Sequence, residues 1–338
     1  MNSKIPVAVV GASGYTGLEL IKILSHHPFF KLVGVYTSEG ESSITKLHPS
    51  LTAVFDMGVK KADPNEIAKK AELVFLALPH KTAMGFAKKL LSLGVKVVDL
   101  SADYRLELET YEKFYCSHED KEHLKEAVYG LPEFYRDEIK DSILIANPGC
   151  YPTASLLALL PFGEMIDESF PIFIDAKSGV SGAGKKCSDK VHFVTINENI
   201  FSYNPLSHRH SPEIEEKIRK IYKKECDINF VPHLLPVTRG MLVSVYLRVK
   251  EEIEPISYLK DFYKNEYFVR VMESPVDIKS SAGTNFCDIF AKSKGKNLFI
   301  SSSIDNLLRG ASSQAVVNAN IMFGFEERAG IPTISYVP

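Results

Sequence analysis

Cys150 sits in Asn147-Pro148-Gly149-Cys150-Tyr151-Pro152-Thr153, framed by two prolines and a glycine where the backbone is stiff and sharply turned. An unpaired cysteine is usually a small buried hydrophobe, and that role needs no such frame. A strand-like run (142–147) precedes the stretch and an apolar helical run follows it, with Pro152 suited to a first helical turn. Cys150 is therefore expected at a helix N-terminus on the carboxyl edge of a parallel sheet, where such sheets bind ligands. The helix dipole favours a thiolate there, below the free thiol pKa of about 8.5. Backbone N–H groups at the same helix end can hold an oxyanion. These features point to a nucleophile. Acylation of its sulfur by an activated acyl group gives a thioester that a hydride reduces to an aldehyde, and the reverse sequence oxidises one.

Such chemistry needs a general acid/base. In Ser207-His208-Arg209-His210-Ser211-Pro212-Glu213, two histidines flank an arginine ahead of a helix that Ser211 can cap and Pro212 can open. Loop imidazoles titrate near neutral pH and can protonate a leaving group or an alkoxide; Glu213, one turn on, is placed to orient one. The residues alone do not choose between His208 and His210 as the acid/base. His26, His27, His118 and His123 lie in polar or helical stretches expected at the surface and are assigned no role.

An acyl phosphate or carboxylate also needs cations. Arg105 ends Leu100-Ser101-Ala102-Asp103-Tyr104-Arg105 after a strand at the same sheet edge, placed to fork onto an anion. Lys177 to Lys185 closes another strand in a glycine-rich loop able to approach a ligand, without the Walker spacing that nucleotide hydrolysis requires. Arg209 and Arg239 are further candidates.

At the N-terminus, Gly11-Ala12-Ser13-Gly14-Tyr15-Thr16-Gly17 follows a strand and opens a helix-period run. Three glycines at this spacing tighten the turn, admit a pyrophosphate to the backbone N–H groups and seat the helix on the sheet. The next strand ends in Thr37 and Ser38, where NAD binders carry a carboxylate. Hydroxyls there do not repel a 2′-phosphate, so NADP is the expected cofactor.

The elements that must position these groups alternate. IPVAVV (5–10), KLVGVYT (31–37), LVFLAL (73–78), VKVVDL (95–100) and SILIAN (142–147) read as strands apolar on both faces, with amphipathic helices between. That pattern predicts a doubly wound parallel sheet of the Rossmann type. Beyond about residue 165 come FPIFIDAKS, MLVSVYLRVK, FVRVMES, NFCDIFAKS and NLFISSSID, with helices near 212–224 and 255–264, which predict an α+β domain with a mostly antiparallel sheet. A helical tail from Ala311 to Phe323 is expected to return to the first domain. With 338 residues two domains are expected: residues 1–149 with 310–338 bind NADP, and 150–309 form the catalytic domain. Forty basic against 42 acidic residues, net charge −2, give no reason to expect nucleic acid or an anionic membrane as partner. Five cysteines in no compact spacing, no membrane-length apolar run and no metal-ligand pattern fit a soluble, cytoplasmic chain with reduced thiols.

GASGYTGLEL, LSADYRL, VYGLPE, NPGCYPT, DAKSGVSGAGK, HRHSPEIE, PHLLPVTRGM and SSIDNLLRGASSQAV occur in this order along nearly the whole chain. Together they resemble the N-acetyl-gamma-glutamyl-phosphate reductases of arginine biosynthesis. The resemblance implies NADPH-dependent reduction of N-acetyl-glutamyl 5-phosphate to the semialdehyde, in a homodimer or homotetramer. Cys150 matches the family nucleophile, and His208 and His210 its active-site pair, with Glu213 in support. Arg105, Ser178 and Gly179 match substrate-site positions, and Lys185 fits the same loop. The stretch from Asn306 to Gln314 matches cofactor contacts, with Ser313 where the family usually carries glycine. The alternatives are a reductase of a related acyl phosphate, aspartyl or carrier-protein-bound, and a non-catalytic dinucleotide-binding redox sensor.

Overall fold

Strands apolar on both faces need helices over both faces, and the first half of the chain supplies them. The computed structural model describes residues 3–336. Its first sheet comprises β1 (Ile5–Val10), β2 (Phe30–Thr37), β3 (Ser42–Ser43), β4 (Gly58–Lys61), β5 (Leu73–Leu76), β6 (Lys96–Asp99), β7 (Val128–Tyr129) and β8 (Leu144–Ala146). The order is β3-β4-β2-β1-β5-β6-β8-β7, parallel throughout except for β3 against β4. Helices α1 (Tyr15–Ser25), α2 (Ala83–Ser92) and α3 (Pro132–Lys140) belong to this half. Val7, Val9, Val10, Leu73 and Phe75 are wholly buried, as two covered faces require.

The second sheet comprises β9 (Ile172–Gly179), β10 (Phe201–Ser202), β11 (Ile228–Leu235), β12 (Met241–Arg248), β13 (Val269–Val271), β14 (Cys287–Lys294) and β15 (Asn297–Ile304), in the order β10-β11-β9-β12-β15-β14-β13. Its pairings are antiparallel except β9 with β11 and β13 with β14. Helix α4 (Cys150–Leu159) covers one face and is buried on all sides from Tyr151 onward, as its apolar sequence dictates. Ser302 on β15 donates to the Ala154 carbonyl at 2.8 Å, anchoring α4 to the strands. Two further helices, α5 (Ser211–Tyr222) and α6 (Pro255–Phe262), belong to this half.

Residues up to Gly149 with Ala311–Pro332 form one compact unit, and Cys150–Gly310 with the tail from Thr333 form the other. Helix α7 (Ser312–Met322) thus returns to the first unit, where Ser312 donates to the Thr16 carbonyl at 2.9 Å. Gly310 and the tail from Thr333, placed with the first domain on sequence, group with the second. Gly310 lies against Cys150, and Tyr336 lies against Gly283 and beneath the Arg239 guanidinium. Among the described residues no helix is long and apolar enough to cross a membrane.

Candidate active site

In the first unit the glycine loop has the stereochemistry its spacing predicts. Gly11 has φ +94°, and a Cβ there would lie 2.1 Å from the Ala77 carbonyl oxygen on the neighbouring strand connection. At Gly17 a Cβ would lie 2.4 Å from the Gly11 oxygen, so α1 sits against the loop only because both side chains are missing. Gly14 precedes α1 without a side-chain cap, and no acid occupies its first turn. Its N–H groups and dipole are therefore not neutralised by the chain's own carboxylates, which fits an anionic pyrophosphate. Ala12 is buried, while Ser13 and Tyr15 are exposed beside it. At the end of β2 the Thr37 hydroxyl accepts from the Gly40 N–H at 3.0 Å, and Ser38 is exposed. The adjacent strand β4 pairs Lys60 with Tyr36 and Lys61 with Thr37. Sequence reasoning found no cation here because the lysines lie more than twenty residues downstream, and only the sheet pairing brings them alongside.

Arg105 is not a surface arginine. It is 5% exposed, with Nε donating to the Asn147 carbonyl at 2.7 Å and Nη2 to the Leu100 carbonyl at 2.8 Å. Asn147, three residues before Cys150, also donates from its N–H to the Asp99 carbonyl and from its amide to the Ala311 carbonyl, and accepts from Asn318. This asparagine, unassigned on sequence, fixes the loop that leads into α4. Gln314 is buried in α7 and donates to the Gly130 carbonyl at 2.9 Å.

In the second unit Cys150 is the first residue of α4, and Pro152 lies in its first turn. Gly310 makes its seat: a Cβ there would lie 2.6 Å from the Cys150 Cβ. The turn around Gly310 is fixed by the wholly buried Asp305. Its carboxylate accepts from the N–H groups of Gly283, Leu307 and Leu308 and pairs with Arg239, while its carbonyl accepts from Gly310. Arg239 is thus committed to this turn. Asn306 bridges the Gly240 N–H at 2.7 Å and the Ser181 hydroxyl at 3.0 Å.

The two imidazoles lie beside the residue that follows the cysteine. The Tyr151 ring stands edge-on to His208 at 5.7 Å and to His210 at 5.8 Å, and the imidazoles lie 4.8 Å apart. Tyr203 and Phe230 close the cluster around His208, each at 5.5 Å. The Tyr203 hydroxyl donates to the Tyr151 oxygen at 3.0 Å, and Tyr151 donates to the His233 carbonyl at 3.2 Å. Burial, followed by the charge of Arg209, lowers the His208 pKa to about 4. Burial, then Tyr203, raises the Tyr151 phenol, and desolvation raises the half-buried Tyr203 to about 12. Neither aromatic partner was singled out on sequence; the signal for Tyr151 was its place beside Cys150.

Helix α5 begins at Ser211, one residue before the expected first helical position. Ser211 bonds Glu215 instead of acting as cap, and His210 takes the cap position, because Pro212 tolerates being second in the helix. Glu213 is buried in the first turn, where its charge reaches the buried Lys217. Ser178 and Gly179 are buried at the end of β9, with Arg239 backbone pressed against Gly179, and Ser178 bonds Tyr151. Lys185 and Arg209 are exposed. The second unit therefore carries Cys150, His208, His210, Ser178 and Asn306, and the first carries the glycine loop, Arg105 and Gln314. Two histidines expected at the surface are buried: His27 bonds the Ala329 carbonyl and His118 the Asp103 carbonyl, each at 2.7 Å, which satisfies their polarity inside. No group of His, Cys, Asp and Glu among the described residues could hold a metal ion.

The architecture defines the semialdehyde dehydrogenase class. The family model for the semialdehyde dehydrogenase NAD binding domain matches residues 6–142, and that for the semialdehyde dehydrogenase dimerisation domain matches residues 150–306. The fold is shared with aspartate semialdehyde dehydrogenase II of Vibrio cholerae (TM-score 0.73, 16% identity, 96% of this chain and 99% of that one) and with the Candida albicans enzyme solved with NADP (TM-score 0.70, 16% identity, 95% and 99%). Much nearer in sequence are N-acetyl-gamma-glutamyl-phosphate reductases. That of Sulfurovum sp. (strain NBC37-1) is 62% identical, across 99% of this chain and all of the relative, and that of Wolinella succinogenes is 59% identical, across 99% of each. The chain belongs to the N-acetyl-gamma-glutamyl-phosphate reductase family.

Proposed function

We propose that this chain reduces N-acetyl-L-glutamyl 5-phosphate to N-acetyl-L-glutamate 5-semialdehyde and phosphate, with NADPH, through a thioester on Cys150. The observation that carries the reading is the packing of Tyr151, the residue after Cys150, against both His208 and His210. The start of α4 favours an anion at the Cys150 sulfur. The thiolate attacks the acyl carbon, forming C–S as the carbonyl electron pair moves to oxygen, and the returning pair breaks the C–O bond to phosphate. His208 and His210 supply the hydrogen bonds and the proton this exchange needs, with the buried Glu213 holding the start of α5. In the second unit Ser178, Gly179, Lys185 and Arg209 serve the substrate, and in the first Arg105 serves it by bracing the loop that carries Asn147. The cofactor supplies the hydride that reduces the thioester. Gly11 to Gly17 hold its pyrophosphate, Ser38 with Lys60 and Lys61 favours a 2′-phosphate, and Thr37 and Gln314 complete the first unit's share of the cofactor site.

A second copy of the chain completes the assembly. On the sheet face away from α4, Phe173, Tyr246 and Phe299 stand in one cross-strand row, with Phe173 and Tyr246 about half exposed. Such a row is the core of a sheet-to-sheet dimer contact.

The test runs the reaction backward: semialdehyde, phosphate and NADP yield NADPH with the wild-type chain and none with Cys150→Ser. Undiminished NADPH formation by that variant refutes the covalent route.

A further inference from the structure

We propose that His208 works as a neutral imidazole whose single ring proton, on Nε2, is donated as a hydrogen bond to the acyl oxygen when that oxygen becomes charged, and that Tyr151 and Tyr203 are the positioning residues that hold it so. The inference rests on the function proposed above and divides the labour of the histidine pair.

The tautomer follows from one contact. The backbone N–H of His210 donates to His208 Nδ1 at 3.2 Å. A backbone amide nitrogen can only donate, so Nδ1 must accept and carries no proton. The proton of the neutral ring is then on Nε2. Among the described residues Nε2 has no hydrogen-bond partner. The nitrogen that bears the proton is therefore available to a substrate, and the one that could take up a second proton is occupied.

The rings packed on His208 oppose a cation by excluding water. Tyr151 comes from α4, Tyr203 from the segment after β10 and Phe230 from β11; together they replace water around the ring. The ionisable groups that face it are those two phenols, with Arg209 and His210 on its own segment; the same elements also carry Cys150 ahead of Tyr151, Glu213 in the first turn of α5 and His233 on β11. Arg209 is positive and acts on His208 directly. Burial and that charge hold His208 at about 4, consistent with the geometry. The phenols do not compete as acids. Tyr203 gives its proton to Tyr151, and Tyr151 gives its own to the His233 carbonyl, so the chain of donors ends on the strand backbone.

A neutral donor is sufficient for the acyl chemistry. Thiolate attack puts charge on the acyl oxygen, and expulsion of phosphate removes it. Reduction of the thioester returns charge to the same oxygen, and breaking the C–S bond forms the aldehyde and regenerates the thiolate. Neither stage transfers a proton to that oxygen, and a pre-organised N–H stabilises it in both. The one proton consumed overall goes to the departing phosphate, a task left to His210 at the edge of α5.

The decisive experiment is histidine-selective 15N NMR of the full chain without ligand, with His208 assigned by its loss in His208→Gln. The expected spectrum shows a bare Nδ1 and a protonated Nε2, with no titration between about pH 8 and about pH 6. A midpoint in that interval, or a proton on Nδ1, overturns the proposal. Kinetics give the second arm. His208→Ala is expected to lower kcat by about 10^2–10^3-fold, and His208→Gln, whose amide N–H stands in for Nε2–H, to recover at least about tenfold of that loss. Glutamine as poor as alanine overturns the donor role. Tyr203→Phe is expected to lower kcat several-fold at constant KM; a change in KM alone contradicts a positioning role. If the wild type forms no NADPH from semialdehyde, phosphate and NADP, it is the enzymatic reading that fails, whatever the spectrum shows.

Discussion

Replacing Gly310 by alanine tests whether the seat of the cysteine is as tight as its geometry requires. The added Cβ would lie 2.6 Å from the Cys150 Cβ, 2.7 Å from the Asn306 carbonyl oxygen and 3.0 Å from the Asn306 Cα. Carbon atoms rest comfortably at about 3.5–4.0 Å, so roughly 1 Å of room must be found. None of the three atoms ends a flexible side chain. The turn carrying Asn306 is held by five interactions to Asp305, so the start of α4 is the side that gives. Overpacking of this kind costs about 1–3 kcal/mol, or a fall in Tm of about 2–4 °C for each kcal/mol in a domain of this size. The larger effect is on chemistry, because displacing a reacting atom by about 1 Å costs about 10^2-fold in rate. Gly310→Ala should therefore lower kcat for NADPH formation by about two orders of magnitude, with KM for NADP unchanged because the glycine loop is untouched. Circular dichroism melting and titration of the reactive thiol separate lost fold from lost rate. A variant with wild-type kcat per folded chain would refute the reasoning, since the cysteine would then tolerate a displacement the geometry says it must suffer.

Three further outcomes are expected. Lys61→Ala, at the position paired with Thr37, should lower kcat/KM for NADP about tenfold while leaving that for NAD near its wild-type value, because one charge-assisted phosphate contact contributes about 1.4 kcal/mol or more; equal losses for both cofactors would remove Lys61 from the 2′-phosphate. Asp99 is wholly buried, and desolvation, with the Asp103 charge second, raises its carboxyl to about 7. Its folded pKa lies above the unfolded value, so the stability it contributes is complete below about pH 4 and is lost as pH rises towards 7. Asp99→Asn, which cannot ionise, should therefore gain Tm relative to wild type between pH 5 and pH 8, and a constant difference would contradict the shift. His27 runs the other way, since burial lowers it to about 4 and stability is lost as pH falls from about 6.5 towards that value. Melting of His27→Gln should depend less on pH over this interval than melting of the wild type.

What could be read from the chain before folding, and what could not, divides by how far apart the cooperating atoms lie in sequence. The glycine loop was legible because each glycine answers a local demand: a left-handed turn at Gly11, and a helix pressed on its own loop at Gly17. Cys150 was legible for the same reason, its prolines and glycine fixing a helix start within a few residues. Strand β11 was not. Pro232 interrupts its apolar alternation, yet the strand survives because β10 pairs only as far as His233, and Tyr203 uses the proline's carbonyl, so no N–H is called for at that edge. His27 was misread because polarity was taken for exposure, whereas its carbonyl partner lies 302 residues away.

The histidine pair shows the same division within a single motif. That two imidazoles precede a helix could be read from His208-Arg209-His210-Ser211-Pro212 alone. Their different tasks could not, because the state of His208 depends on groups the motif does not contain. One contact inside the motif, His210 N–H to Nδ1, sets the tautomer. Neutrality depends on Tyr151, Tyr203 and Phe230, which meet only because β11 lies between β10 and β9, and the phenol protons are disposed of by a carbonyl at position 233. A substitution at Phe230, more than twenty residues away, or at Tyr203, five residues upstream, should therefore alter the protonation of His208, while a change at the exposed, uncharged Ser207 should leave it alone.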